Sequence, residues 1–199
     1  DSTSSFEQSD SQNSSEVSES VSFFEQSDSS VVSTDDSSSI NNDQKVKEIE
    51  EIVEGFAKSA KVLKDCGVDG IEIHAIHEGY LLDQFTIANT NKRTDQYGGS
   101  LENRARFVTD IIKAIKKECG EDFPVVVRYS VTSKMRGFNK GAVPGEKFEE
   151  FGRDYDESIK LAKLLEEAGA DALDADNGSY DSWYWAHPPM YMPENCNLE

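Results

Sequence analysis

The sequence predicts an α/β fold built on parallel strands, and three observations carry the prediction. Short apolar runs rich in branched residues alternate with longer stretches whose apolar residues recur at three- and four-residue spacing. A glycine closes each of those longer stretches, at Gly67, Gly120 and Gly169. The apolar content needed for a core is confined to the part of the chain that follows a long Ser-rich, acidic segment. Strands that alternate with helices imply right-handed crossovers, either in an open doubly wound sheet or in part of a (β/α)8 barrel. Spacing alone does not choose between the two.

Residues 1–44 read as a disordered tail. Up to Asn42 the segment is mostly Ser with Asp, Glu, Gln and Asn, has no Lys or Arg, and supplies about half of the net charge of −19. It cannot bury enough apolar area to offset the entropy of ordering it. Ser5–Ser11 recurs almost unchanged as Phe23–Ser29, an internal repeat whose two copies do not make a solenoid.

Residues 45–199 read as the folded domain. Val46, Ile49, Ile52, Val53, Phe56, Ala60 and Leu63 form the inward stripe of a first helix, which Gly67 stops. A first strand follows at Asp69–Ile73, then a long polar loop to Gly98-Gly99. Ser100 is suited to cap a second helix bearing Leu101, Val108, Ile111, Ile112 and Ile115. Phe123–Tyr129 is a second strand, Asp156–Ala168 a third helix with Ile159, Ala162 and Leu165 inward, and Ala170–Ala175 a third strand. Cys66, Cys119 and Cys196 form no Cys-x-x-Cys pair, so neither a disulfide framework nor a complete cluster site can be assembled from them, and Cys66 and Cys119 read as buried thiols.

The acidity excludes nucleic acid, which needs a basic footprint, and disfavours an anionic membrane surface. No run approaches the roughly 18 apolar residues of a spanning helix, and the first residues show neither the basic start nor the apolar core expected of a signal peptide. The expected compartment is the cytoplasm.

The chemistry gathers just past the first strand, in His74-Ala75-Ile76-His77-Glu78-Gly79-Tyr80-Leu81-Leu82-Asp83-Gln84-Phe85. Two imidazoles, a carboxylate and a phenol within seven residues of a strand's C-terminal end mark an active-site edge in α/β architectures. The imidazoles can hydrogen-bond a carbonyl or carboxylate, or serve structurally; a metal site would need a third ligand. Tyr80 is either a general acid, since a phenol keeps its proton at neutral pH, or a ring packed on Leu81, Leu82 and Phe85. Arg128 ends an apolar strand and must meet an anion, whether a ligand or Glu72 or Asp174 on neighbouring strands. Tyr129 and Ser130 follow it as pocket-floor groups. The aromatic stretch from Asn177 to Pro189 suits a pocket wall over a planar ligand.

The run from His74 to Phe85 resembles the Old Yellow Enzyme group of flavin-dependent ene-reductases, and so does Thr90-Asn91-Lys92-Arg93-Thr94-Asp95-Gln96-Tyr97-Gly98-Gly99-Ser100-Leu101-Glu102-Asn103-Arg104. Together with Arg128-Tyr129-Ser130 and the stretch from Asp176 to Pro189, the pattern is similar to the clostridial 2-enoate reductases, the bile-acid-inducible NADH:flavin oxidoreductases and the 2,4-dienoyl-CoA reductases. The resemblance implies that the strands are about the fourth, fifth and sixth of a TIM barrel. Three strands cannot close one, so the chain reads as a partial barrel. It further implies an FMN enzyme with NADH as reductant that reduces the C=C bond of α,β-unsaturated acids or CoA esters. Catalytic roles would fall to His74, His77 and Tyr80, flavin contact to Arg128, and substrate contact to Tyr180 or His187. Glu78 lengthens the commoner His-x-x-His-Gly-Tyr spacing by one residue, which leaves open which imidazole meets substrate. The family's iron–sulfur and FAD sites are expected to lie outside this chain. Asn91, Lys92, Arg93, Asp95, Glu102, Asn103 and Arg104 are expected to brace the long loop. The rival expectation is a non-catalytic partial barrel that pairs with copies of itself or with a complementing half, its acidic tail serving as an interaction arm.

Overall fold

The computed structural model describes residues 42–77 and 79–186. The elements are α1 (Asn42–Asp65), β1 (Ile71–Ile76), α2 (Leu81–Thr86), α3 (Leu101–Cys119), β2 (Val125–Ser130), β3 (Met135–Gly137), β4 (Lys140–Gly141), α4 (Tyr155–Ala168), β5 (Ala172–Asp176) and α5 (Trp183–Ala186). β1, β2 and β5 form a parallel sheet in that order, while β3 and β4 make a separate antiparallel hairpin.

Alternation along the strands divides the sheet into two faces. Ile73 and Ala75 of β1 and Val125, Val127 and Tyr129 of β2 are buried, and they join Phe107, Ile111, Ile112 and Ile115 of α3 and Leu161 and Leu165 of α4 in one core. Each of the buried Val, Leu, Ile and Phe side chains contributes about 1.5–3 kcal/mol by leaving water. α1 packs on α3, and α3 on α4. The opposite face carries Glu72, His74, Arg128, Asp174 and Asp176, polar residues that a closed barrel would turn inward.

Ser100 caps α3 and Gly169 stops α4 as the sequence predicts, while the Asp154 cap, which starts α4 at Tyr155, was not expected. Ser100 Oγ accepts the Asn103 N–H at 3.3 Å, and Asp154 accepts from Glu157 at 2.9 Å. Gly169 closes α4 in the left-handed region at φ 108°. At the N-terminal end of the sheet, the buried Lys116 ammonium donates to Asp171 at 2.7 Å and to the carbonyls of Glu121 and Phe123, and Asp171 also accepts the Val125 N–H. Asp171 is held below the usual carboxylate range by these partners.

Several expectations are corrected. α1 starts at Asn42, ahead of the expected boundary at residue 45, because a first turn without apolar residues leaves no periodic signal. β1 runs on through His74 to Ile76, so His74 belongs to the strand itself. The long polar loop contains the helix α2, and the hairpin β3–β4 was not foreseen. Ile159 is 57 % exposed. The buried line of α4 is Ser158, Leu161, Leu165 and Ala168, and Ile159 lies about 100° round the helix from Ser158. Ile52 and Leu63 likewise sit beside the buried line of α1 through Ile49, Ala57 and Ala60. Cys119 is buried, and burial pushes its thiol up, but Cys66 is exposed in the turn after α1. Tyr129 is no pocket-floor group. It points to the helix side, where its hydroxyl donates to the Ser158 carbonyl at 2.7 Å and burial raises its pKa. The tail, Cys196 and His187 lie outside the described residues.

Bracing of the motif loop is extensive. Asn91 donates to the Phe85 and Tyr97 carbonyls at 2.7 Å, Arg93 pairs with Asp95, and Arg104 reaches Thr86, Gly99 and Glu157. Gly98 is required there, because a Cβ would stand 2.0 Å from the Arg93 carbonyl oxygen. Among the described residues no helix is long and apolar enough to cross a membrane.

Candidate active site

Register brings the candidate residues to the C-terminal end of the sheet. His74 of β1 lies opposite Arg128 of β2, which lies opposite Asp174 of β5, and Ser130 lies opposite Asp176. A shift in the β1–β2 pairing between His74 and Ile76 carries the chain off the sheet to His77.

One acidic side chain organises this end. His77 is 1 % exposed, and its Nε2 lies 2.6 Å from Asp176 Oδ2. The carboxylate can only accept, so Nε2 carries the proton. Arg128 Nε also faces that nitrogen, but at 3.4 Å it is too distant to compete with the carboxylate. His77 Nδ1 lies 2.9 Å from His74 Nε2. With both rings neutral, His74 donates and His77 Nδ1 accepts, so Asp176, His77 and His74 form one hydrogen-bonded line with fixed tautomers. Arg128 is tied in at its other end, with Nη1 3.1 Å from Asp174 Oδ2 and Nη2 3.3 Å from Asp176 Oδ2. Of the two strand carboxylates expected as Arg128's ion-pair alternatives, Asp174 is the one used. Ser130 donates toward Asp176 Oδ1 at 3.0 Å and the Gly178 carbonyl at 2.8 Å.

Tyr80 adjoins this line. Gly79, at φ 79°, makes a turn that few other residues accept, and its N–H donates to Asp83 Oδ2 at 2.9 Å. Tyr80 is thereby set at the start of α2, half exposed, with its ring edge-on to the His74 ring at 5.0 Å between centroids and 84° between planes. Its other side lines a cleft of about 710 Å³ shared with Gln84, Met135, Phe138, Tyr180 and Asp181. The structure thus gathers His74, His77, Tyr80 and Arg128 and sets Tyr180 across the cleft. Sequence reading passed over Asp176, although the period-two run Asp174-Ala175-Asp176 puts both carboxylates on the face that holds Arg128. It also passed over Phe138 and Arg153, which carry no local signal. Among the described residues no group of three His, Cys, Asp or Glu side chains is placed to hold a metal ion.

The profile of the NADH:flavin oxidoreductase / NADH oxidase family matches residues 4–192. The chain belongs to this family. It is 57 % identical over 152 residues to the cinnamate reductase of Clostridium sporogenes, covering 76 % of this chain and 23 % of that protein. To the NADH oxidase of Thermoanaerobacter brockii it is 41 % identical over 137 residues, covering 69 % of this chain and 19 % of the relative. Among solved structures, a 2-naphthoyl-CoA reductase complexed with 2-naphthoyl-CoA superposes with TM-score 0.57 and 36 % identity over 68 % of this chain and 18 % of that one. The old yellow enzyme homologue from Zymomonas mobilis gives TM-score 0.52 and 27 % identity over 67 % of this chain and 34 % of its own. The three parallel strands are therefore part of a TIM barrel, and the chain spans less than a quarter of the length of the cinnamate reductase and NADH oxidase it matches.

For a flavin oxidoreductase the group to be fitted is FMN. The open sheet face offers a guanidinium and an imidazole pair, donors suited to the polar edge of a flavin ring. Glu72, Asp174 and Asp176 stand on the same face, and their charge opposes a phosphate. The donors present are compatible with a flavin ring, whereas the carboxylates beside them do not suit its phosphate.

Proposed function

We propose that this chain carries the substrate-activating part of an FMN-dependent ene-reductase, with NADH as the reductant, acting on the C=C bond of α,β-unsaturated acids or their CoA esters. The observation that carries the reading is the line Asp176–His77–His74 at the C-terminal end of the strands, with Tyr80 against its outer ring. Family membership and the identity to a cinnamate reductase support it.

His74 is the imidazole that meets substrate. Both ring nitrogens of His77 are already engaged, and that side chain is buried, whereas His74 lies on the open face. To donate to a substrate carbonyl, His74 needs a proton on Nδ1, which places one positive charge on the imidazole pair. Asp176 balances that charge, so the line that orients His74 also stabilises its donor form. Withdrawing electrons through the carbonyl makes the β-carbon electrophilic. FMN, when bound, supplies the hydride to that carbon. Tyr80 then delivers a proton to the α-carbon, completing the addition of two hydrogens. Arg128 sets a positive charge beside the ring, held there by Asp174 and Asp176.

The test is flavin retention by the purified chain. FMN is added, excess is removed, and the bound absorbance is recorded for the parent and for Arg128→Ala. Stoichiometric retention that the variant loses, followed by reduction of trans-cinnamate on addition of NADH or dithionite, is the expected result. No retention would mean that membership of the family describes ancestry and that this chain by itself holds no flavin.

A further inference from the structure

The largest fully buried side chain among the described residues is a charged one, Arg153, in the segment that leads into α4. Its backbone is fastened to the segment after β2. The Arg153 N–H donates to Ser133 Oγ at 3.0 Å, the Arg153 carbonyl accepts the Ser133 N–H at 3.1 Å, and a Cβ on the preceding Gly152 would stand 2.4 Å from the Ser133 Cβ. From this seat the guanidinium divides between two distant parts of the chain. Nη1 donates to Asp83 Oδ1 at 2.8 Å, while Nε and Nη2 donate to the Ser130 carbonyl at 3.2 and 2.7 Å.

Each acceptor leads to one half of the candidate site. On one arm, the second Asp83 oxygen accepts the Gly79 N–H at 2.9 Å and so fixes the turn in front of Tyr80. On the other, the Ser130 hydroxyl reaches Asp176 Oδ1 at 3.0 Å, Asp176 holds His77, and His77 holds His74. The arms meet again where the Tyr80 and His74 rings stand edge-on at 5.0 Å between centroids. Stability alone does not call for a buried ion pair, since apolar residues of similar volume often serve as well or better. What apolar side chains cannot supply is a planar fork that aims donors at two acceptors at set angles.

We propose that Arg153 is a positioning residue of this site: without touching either ring, it sets Tyr80 against His74, so that proton donor and carbonyl activator address one substrate together. The roles of the two rings rest on the ene-reductase reading, whereas the link between them rests on the hydrogen bonds alone. Slackening either arm moves one ring and leaves the other in place. A misplacement of about 1 Å in such a pair slows a reaction by about 10²-fold. Substrate affinity does not depend on that relative placement, so the loss falls on turnover.

The full chain is compared with the double variant Asp83→Leu with Arg153→Met, which removes both charges together, and with Arg153→Lys, which keeps the charge and loses the fork. Urea titration measures stability, and NMR cross-peaks between the Tyr80 and His74 rings report their contact, with FMN present and absent. The expected result is a double variant that keeps its fold yet loses the Tyr80–His74 cross-peak, with a weakened cross-peak in Arg153→Lys. In flavin-loaded protein, turnover of trans-cinnamate in the double variant falls about 10²-fold while KM moves by no more than about twofold. A folded double variant with the parent's cross-peak or the parent's turnover overturns the proposal, as does a parent without the cross-peak. If the double variant does not fold, Arg153→Lys decides: an undiminished cross-peak overturns the proposal and a weakened one upholds it. The cross-peak needs no flavin. Its loss in a folded variant of a chain that retains no FMN therefore sinks the ene-reductase reading and leaves the link from Arg153 to the two rings, whereas retained flavin with an intact cross-peak does the reverse.

Discussion

Asp83 and Arg153, seventy residues apart, meet at 2.8 Å with both side chains sealed from water. Arg153 also donates to the Ser130 carbonyl at 2.7 Å and to Thr86 Oγ1 at 3.0 Å, and its guanidinium lies over the Tyr129 ring. Asp83 in turn accepts the Gly79 N–H, so one buried pair ties the end of β2 and the segment before α4 to the turn that positions Tyr80.

Removing one partner leaves an uncompensated buried charge. Arg153→Met and Asp83→Asn are each expected to lower unfolding free energy by about 3–5 kcal/mol in urea titrations. The double variant Asp83→Leu with Arg153→Met should recover much of that loss, because the desolvation cost disappears with the charges. Equal losses for the single and double variants would show that shape, rather than charge, is what the pair supplies.

Asp176→Asn replaces an acceptor by a group that can also donate, and releases the tautomer of His77. Imidazole nitrogen shifts measured by NMR should show His77 no longer protonated mainly on Nε2. Any ene-reduction should fall by roughly 10²-fold or more, with Tyr80→Phe lowering turnover by a similar factor through loss of the proton donor. In Tyr80→Phe, substrate affinity is expected to hold, which separates a proton-transfer role from a packing role.

Asp171 sets an acid-sensitive contribution to stability. Its folded pKa is depressed, chiefly by the Lys116 ammonium and then by the Val125 N–H. The stabilisation is therefore present above the ordinary carboxylate range, about pH 4, and is lost as pH falls through the lower folded value. The side chain is 47 % exposed, so screening limits the contribution to about 1 kcal/mol or less. Asp171→Asn should flatten that limb of the stability–pH curve while lowering stability at neutral pH.

On α4, Leu161→Ala should cost about 2–5 kcal/mol, since the side chain is fully buried between helix and sheet. Ile159→Gln should move stability by no more than about 0.5 kcal/mol. Comparable losses at both positions in thermal melts would return Ile159 to the core face assigned by periodicity.

Gly141→Ala should loosen the hairpin from the turn bearing Tyr180, at about 1–3 kcal/mol, because backbone atoms of Asp181 occupy the space a methyl needs. Faster amide exchange confined to residues 135–142 and 179–182 is the expected sign.

By itself the sequence determined the parallel α/β order, the glycine stops, the Ser100 cap and the gathering of His74, His77, Tyr80 and Arg128 near strand ends. These depend on short-range physics: hydrophobic period, backbone freedom at glycine, and side chains within a few residues of one another. The period-3.6 reading did not separate Ile159 from Ser158, since neighbouring positions differ by only a fraction of a turn. It was also silent on α2 and on the hairpin, whose elements are too short to show a period. Tertiary structure alone decided that Asp176, ninety-nine residues on, fixes His77, that Arg153 finds Asp83, that Tyr129 faces the helices, and that Phe138 and Tyr180 share a cleft with Tyr80. Such pairings depend on strand register and on how distant segments pack, and no local pattern along the chain records which far residue will complete a hydrogen bond.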